Sequence, residues 1–554
     1  MPTDPTVVLN DLTERLAPLE RALHEAYWAA AVDATPERSA ARAAAEEALL
    51  AALADPELFA AVEAALEGSG EPGTGAPEDR GSGEPGTGAP ENGPDPAVPP
   101  AVARALAKAR LDLLANQVPA EDRAELVRLQ AKVEAAFAVV RGRAGDRELS
   151  NTEIEEVLAT SGDPAERQAA WEAGKQVGAV VADDLLALVE LRNRIARGHG
   201  FRDWFGFALA TGDLDEAWLD GILAEVEAAT SEPFQAAKAA LDARLAARFG
   251  VATDQLRPWH YGDPFFQRYD GDGDAGLGGL LDGSDPVRLT VAAYDGMGLE
   301  TRHVLDRSDL WPRPGKDQHA FCMDVDRGGD VRVLANIGPG EVSLDVMLHE
   351  VGHAVYDDRI DPALPWVLRC PPQPLATEAV ALMFGRLRRD PEFLVGVLGA
   401  DQETAADLAG PSCEVLRVGQ LVFARWCLVM VRFERALYAD PGRDLVATWW
   451  ELVESLQGLR RPEGRAAAPD WASKIHLASS PVYYQSYLLG ELMAFQVEAA
   501  VRQAAGGFVG RPEAGAFLTE RVFQPGASLG WAGLVSAATG RPLGVDAFVA
   551  ALGP

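Results

Sequence analysis

Apolar residues recur at three- and four-residue intervals through most of the chain, a spacing that predicts a mostly helical protein. Leu12, Leu16, Leu19 and Leu23 set the pattern within residues 9–67, a stretch rich in Ala, Leu, Glu and Arg that reads as two or three amphipathic helices. The pattern resumes over residues 101–250, where Pro119 and Pro164 stand at positions suited to helix starts and nothing resembles a βαβ unit. Strand character is confined to residues 320–326 and 330–337. Separated by Arg327, Gly328 and Gly329, these runs predict one hairpin, the single small β-sheet of the fold. Helical spacing then continues to the C-terminus.

Two segments interrupt the pattern. Residues 68–78, GSGEPGTGAPE, are repeated at 81–91 and followed by NGPDPAVPP. This low-complexity stretch holds too few apolar side chains to offset the entropy of ordering it, so it reads as a disordered linker. Residues 269–285 are rich in Gly and Asp and read as a loop. Asp270, Asp272 and Asp274 imitate the start of a calcium-binding loop, but Ala275 occupies the position that requires Gly and the closing Glu is missing. The domain organisation expected is N-terminal helices over residues 1–67, a Gly/Pro-rich linker over 68–100, and a helical body over 101–554.

Charge and cysteine content act mainly by exclusion. With 84 acidic against 50 basic residues in 554, the net charge of −34 repels nucleic-acid phosphates and anionic membrane surfaces alike. Residues 1–10, MPTDPTVVLN, lack the basic start and apolar run of a secretory signal. The longest apolar candidate, residues 421–433, is interrupted by Arg425 and Arg432 and is too short to span a bilayer. A soluble, cytoplasmic protein with no nucleic-acid or membrane partner is therefore expected, its oligomeric state left open. Cys322, Cys370, Cys413 and Cys427 are far apart and form no CxxC, which predicts reduced, mostly buried thiols. Only six lysines are present, so each one is informative.

The chemistry concentrates in three segments. Residues 344–357, LDVMLHEVGHAVYD, carry His349, Glu350 and His353. Four residues apart on a helix, the two imidazoles share a face at a spacing that can hold one zinc ion, and Glu350 is placed to act as general base. A catalytic zinc needs a third protein ligand. Glu378, the one acidic side chain in the apolar helical run LATEAVALMFGR at residues 375–386, is the leading candidate; Asp357 and Asp358 are rivals on or just past the histidine helix. Residues 471–496 contain the last histidine, His476, and Tyr483, Tyr484 and Tyr487. Tyr487 and His476 are neutral donors suited to an oxyanion, although the same segment reads equally as a helix packing its tyrosines in a core.

These residues resemble the zinc peptidases of the angiotensin-converting enzyme family, and more loosely thimet oligopeptidase, neurolysin and carboxypeptidase Taq. HEVGHAVYD with Glu378 is similar to the family's HExxH and downstream Glu; QHAFCMDVDRGGDVRVLAN, residues 318–336, is similar to its substrate-binding edge strand and hairpin partner; KIHLASSPVYYQSY, residues 474–487, is similar to its Lys, His and Tyr-x-x-Tyr block. AWEA at 170–173 and RPWHYGDPFFQ at 257–267 echo upstream family segments. The resemblance implies one Zn2+ per chain on His349, His353 and Glu378, with Glu350 as base and later proton donor, and Tyr487 and His476 as oxyanion stabilisers. It further implies peptide contacts from His319 and Ala320, and a carboxylate anchor formed by Lys474, Gln267 and Tyr484, although Lys474 reads equally as a surface lysine. There are departures from the animal enzymes. One extra residue lies between His476 and the tyrosine pair, Leu382 replaces an acidic partner one turn after the Glu ligand, and Ser486 replaces a chloride-binding Arg.

The fold expected on this resemblance is mostly α, a large two-lobed helical metallopeptidase with a deep central channel, one small β-sheet near the active site, and the N-terminal helices as a lid. The activity expected is hydrolysis of short oligopeptides with release of C-terminal dipeptides. An endo-acting oligopeptidase or carboxypeptidase of related fold is the alternative among enzymes, and a peptide-binding or maturation partner with little turnover is the alternative outside them.

Overall fold

The computed structural model describes residues 4–68, 98–269, 271 and 277–553. The repeats of the linker from residue 69 onward, and Asp270, Asp272 and Asp274, lie outside the described residues. The chain is 71% helical, confirming a mostly α fold. Among the described residues no helix is long and apolar enough to cross a membrane.

Three helices form the N-terminal part, Pro5–Val32, Pro36–Leu53 and Pro56–Gly68, each opening on a proline whose missing N–H costs nothing at a helix start. Asp4 and Thr35 cap the first two by accepting the N–H groups of Thr6 and Arg38. Of the predicted stripe, Leu12 and Leu16 are buried, whereas Leu19 and Leu23, beyond Pro18, are only partly so. Val8, Leu9, Leu12 and Leu16 pack with Leu58, Val62, Leu106 and Leu113 in a small core of their own, extended by Val367 and Leu368 of the body.

The body is organised around a second, much larger apolar core, crossed by the long helices Pro164–Gly198, Glu216–Phe249 and Gln402–Ala439. The expected hairpin is present as Phe321–Asp324 paired antiparallel with Val331–Leu334, in the register Phe321 opposite Leu334 and Asp324 opposite Val331. The single-sheet expectation is corrected by a second antiparallel pair, Gly142–Ala144 with Arg147–Leu149. Three-residue strands are too short to show alternation, so this pair left no readable period in the sequence. Its Gly142 lies against the Pro164–Gly198 helix so closely that a Cβ would sit 2.4 Å from the carbonyl oxygen of Ala173. Within the expected 269–285 loop, Leu277–Leu281 forms a short helix. The cysteine expectation is corrected in part: all four are free, but Cys427 alone is buried, Cys413 is exposed, and Cys322 and Cys370 are intermediate.

Three features of this architecture position the site. The helix Glu341–Asp358, with the HExxH motif, packs on the helix Pro374–Arg386, with Glu378, and that helix in turn packs on Tyr484–Ala505. The first pair approaches closely because Gly352, inside the motif, has no side chain: a Cβ there would stand 3.0 Å from Cα of Ala381. Finally, the first N-terminal helix lies over the Phe321 hairpin. Tyr27 and Trp28 meet the Phe321 ring edge-on at 5.4 and 6.1 Å, and Glu20 holds Arg327 with two hydrogen bonds of 2.6 and 2.7 Å.

Candidate active site

His349 and His353, one turn apart, turn their Nε2 atoms toward each other at 3.2 Å. Glu378 reaches in from the neighbouring helix, its carboxylate oxygens 3.8 Å from His349 Nε2 and 4.0 Å from His353 Nε2. Ligand atoms of the three residues all lie within 4.8 Å of one another, and among the described residues this is the one such group of three or more metal-ligating side chains. Donors bound tetrahedrally to zinc stand about 3.3 Å apart, so the donor set and its spacing fit that ion. Thr377 Oγ1 lies 2.7 Å from His353 Nδ1, a contact that orients the ring with Nε2 inward. Burial pushes His349 down to about 4 and His353 to about 3, which keeps both imidazoles in the neutral form a metal requires.

The rival carboxylates are separated from this trio. Asp358 is taken by His303 and Arg359, each at 2.7 Å. Asp357 faces Asp324, whose charge adds to burial in raising its pKa. Glu350 is also buried. Desolvation first, and then the nearby charge of Glu378, lift it to about 8, while the backbone N–H of Cys322 donates to it. The Phe321–Asp324 strand therefore runs beside Glu350. Ala320 and His319 precede that strand; Ala320 is partly buried, and His319 is exposed with its backbone N–H already donated to Asp317.

The helix packed on the Glu378 helix opens with a cluster of rings. His476 stands 5.2 Å from Tyr484 and 6.5 Å from Tyr487, and Tyr487 packs on Tyr483 at 4.9 Å between ring centres. Burial and then the charge of Glu378 raise the phenol of Tyr487, so this hydroxyl stays protonated. Burial likewise pushes His476 down to about 4, leaving a neutral ring whose Nδ1 has no hydrogen-bond partner. Lys474, Gln267 and Tyr484 come together as well: Lys474 Nζ donates to Gln267 Oε1 at 2.8 Å and lies 5.8 Å from the Tyr484 ring centre. Lys474 is no surface lysine, being 8% exposed.

The profile of the angiotensin-converting enzyme family of peptidases matches residues 313–548, which contain the trio, the hairpin and the ring cluster. An angiotensin-converting enzyme of Haematobia irritans exigua is 26% identical over 491 residues, 77% of each chain. The chain resembles the angiotensin-converting enzyme family of peptidases. Against that resemblance, the expected departures resolve locally. Between His476 and the tyrosine pair, Val482 turns to a φ of 54°, a left-handed conformation that a β-branched residue adopts only when held there. The buried carboxylate of Glu434 holds it, accepting the Val482 N–H at 2.8 Å. His476 stays in ring contact with both Tyr484 and Tyr487 across this turn. With Leu382 apolar, Thr377 orients His353 instead. The segments at 170–173 and 257–267 meet directly: Trp171 Nε1 donates to the Pro264 carbonyl, and Arg167 to the carbonyls of Trp259 and Tyr261. Asp263, fully buried, then fixes the Gln267 turn by accepting the N–H groups of Phe265, Gln267 and Arg268.

Four residues of this peptidase-like site escaped the sequence reading. Thr377 could have been found, since it adjoins Glu378. Arg192 and Glu434 carried no signal, because each lies in a helical run where polar positions are frequent; the rarity of lysine marked Lys175 as informative without pointing to a role. Arg192 donates to the carbonyls of Leu477 and Ala478 at 2.8 and 2.6 Å, tying down the turn that presents His476. Lys175, buried beside Phe265, places a second amine near Lys474.

Proposed function

We propose that this peptidase-like protein is a zinc-dependent peptidyl-dipeptidase, cutting short oligopeptides two residues from the C-terminus, with one zinc ion per chain held by His349, His353 and Glu378. The single observation that carries this reading is the packing of the Glu378 helix on the Tyr484–Ala505 helix, which brings the metal-ligating trio into the neighbourhood of Tyr487 and, through its ring, of His476. When bound, zinc would polarise the scissile carbonyl and acidify the attacking water. Glu350, beside the first histidine, takes the proton from that water and returns it to the leaving amine. Tyr487 and His476 donate hydrogen bonds to the oxygen on which negative charge develops. Lys474, with Gln267 and Tyr484, takes the terminal carboxylate of the peptide and so sets which bond is cut. His319 and Ala320 offer the substrate backbone an edge leading into the strand that flanks Glu350. The N-terminal helices, stacked on that same hairpin through Tyr27 and Trp28, act as a lid.

Glu350→Gln tests the mechanism. The variant is expected to bind about one zinc per chain by metal analysis while kcat falls by roughly 10²–10⁴-fold. Retained activity would remove Glu350 from the reaction, and absence of zinc from the wild-type protein would remove the metal reading altogether.

A further inference from the structure

The first helix, Pro5–Val32, and the turn after it grip the strand Phe321–Asp324 on both flanks. Ahead of the strand, the Asp317 N–H donates to the Ala31 carbonyl at 2.8 Å, the Ala34 N–H to the Gly315 carbonyl at 2.6 Å, and Arg313 Nη2 to the Val32 carbonyl at 3.0 Å. Beyond it, His24 Nδ1 lies 3.3 Å from the Val325 carbonyl, and Arg327 reaches Glu20. Between these flanks the Cys322 N–H donates to Glu350. A helix bonded to both ends of a strand sets where that strand lies, and here the placement reaches Glu350.

Arg327 joins three parts of the fold. Its guanidinium makes two parallel hydrogen bonds to Glu20, and the two side chains are only 18% and 16% exposed, so this is the strong, geometrically exacting form of ion pair. The same group donates to the Trp366 and Val367 carbonyls at 3.5 and 3.3 Å and lies 4.4 Å over the Trp366 ring, tying in the segment that follows the motif helix. Its backbone has a φ of 52°, a left-handed conformation unfavourable for a residue with a Cβ. Gly328 and Gly329 stand next in the turn, yet this strained position belongs to an arginine. The side-chain contacts, and the Arg327 N–H donated to Asp324 Oδ1 at 2.9 Å, offset the strain. We propose that Arg327 is a positioning residue for the peptidase reaction: latched to Glu20, it holds the hairpin so that the Cys322 N–H meets Glu350. This rests on the role given to Glu350 above.

Arg327→Met, Glu20→Leu and the double variant test the latch in the full chain, with kcat, KM, zinc content and Tm measured and activity read well below every Tm. Each single variant should lower kcat by about tenfold or more, since a 1 Å misplacement at a reacting group costs on the order of 100-fold. KM for a short peptide with a free C-terminus should change less, because the Lys474 anchor lies on other elements. The double variant should lose no more than Arg327→Met alone, as expected of two groups acting as one unit. Arg327→Lys, which keeps a charge opposite Glu20, should recover part of the loss. Hydrogen–deuterium exchange of residues 320–325 needs no turnover, and it should quicken in both single variants while the Glu378 helix is unchanged. Three results would overturn the proposal: losses that add in the double variant, unchanged kcat in either single variant, or a kcat loss matched by loss of zinc. A wild-type protein that cuts no peptide would instead refute the peptidase reading. Exchange at 320–325 would then judge the latch by itself, quickened exchange supporting it and unchanged exchange overturning it.

Discussion

Lys474 extends its amine between the rings of Phe265, Trp426 and Tyr484, and burial lowers its pKa to about 8. Below that value the amine is charged and can hold a peptide carboxylate; as pH rises through it, the charge is lost. KM for a peptide with a free C-terminus is therefore expected to climb as pH passes about 8, while KM for its amide stays level. Parallel profiles for the two peptides would take Lys474 out of substrate binding. Lys175, 4% exposed, is pushed further, to about 7, by burial that Asp470 and Asp263 only partly offset. Because its folded pKa lies below the unfolded value of 10.5, the unfolded chain holds more protons between those two values, and stability rises with pH across that window. Lys175→Met should raise stability by roughly 1–3 kcal/mol near pH 6 and by less near pH 9, read by urea unfolding. Neither amine was legible as buried. Both sit at polar positions of segments whose packing partners, Phe265 above all, come from far along the chain.

At the scale of elements, legibility followed length and chemistry. The motif helix and the Glu378 helix could be read because a long apolar period interrupted by a few charged groups has few explanations. The Phe321 hairpin could be read because two short runs of strand character flank a Gly-containing turn. The pair Gly142–Ala144 and Arg147–Leu149 could not, and neither could the means by which the His476 turn is held. That turn has little regular structure of its own, only the four-residue helix His476–Ser479, and is fixed from outside by two buried polar side chains, Arg192 on its carbonyls and Glu434 on the Val482 N–H. Arg192→Met should leave zinc content unchanged and KM little altered, yet lower kcat by about 100-fold, the cost of a displacement near 1 Å in a group that acts on the transition state. A fall in zinc content or in Tm large enough to explain the loss would make Arg192 structural only.

Over the whole molecule, the net charge of −34 finds no single structural owner among the described residues. Many surface carboxylates are matched locally, as in Arg15 with Asp11 and Asp55, or Arg128 with Glu125. The mostly helical architecture was legible from the periodicity of the chain. The assembly of the site was legible only at its centre, since chain order says nothing of a Gly352 that lets two helices close. The N-terminal helices illustrate the same separation of order from place. They bury their stripe against Leu106, Leu113, Val367 and Leu368, partners that all lie beyond the repeats, and add the Glu20–Arg327 pair and the rings on Phe321. What retains them, among the described residues, is thus an interface. Severed within the repeats, the two pieces should behave as subunits: residues 1–80 supplied in trans to residues 90–554 should restore peptidase activity at a level set by their concentration, turning one polypeptide into a titratable heterodimer.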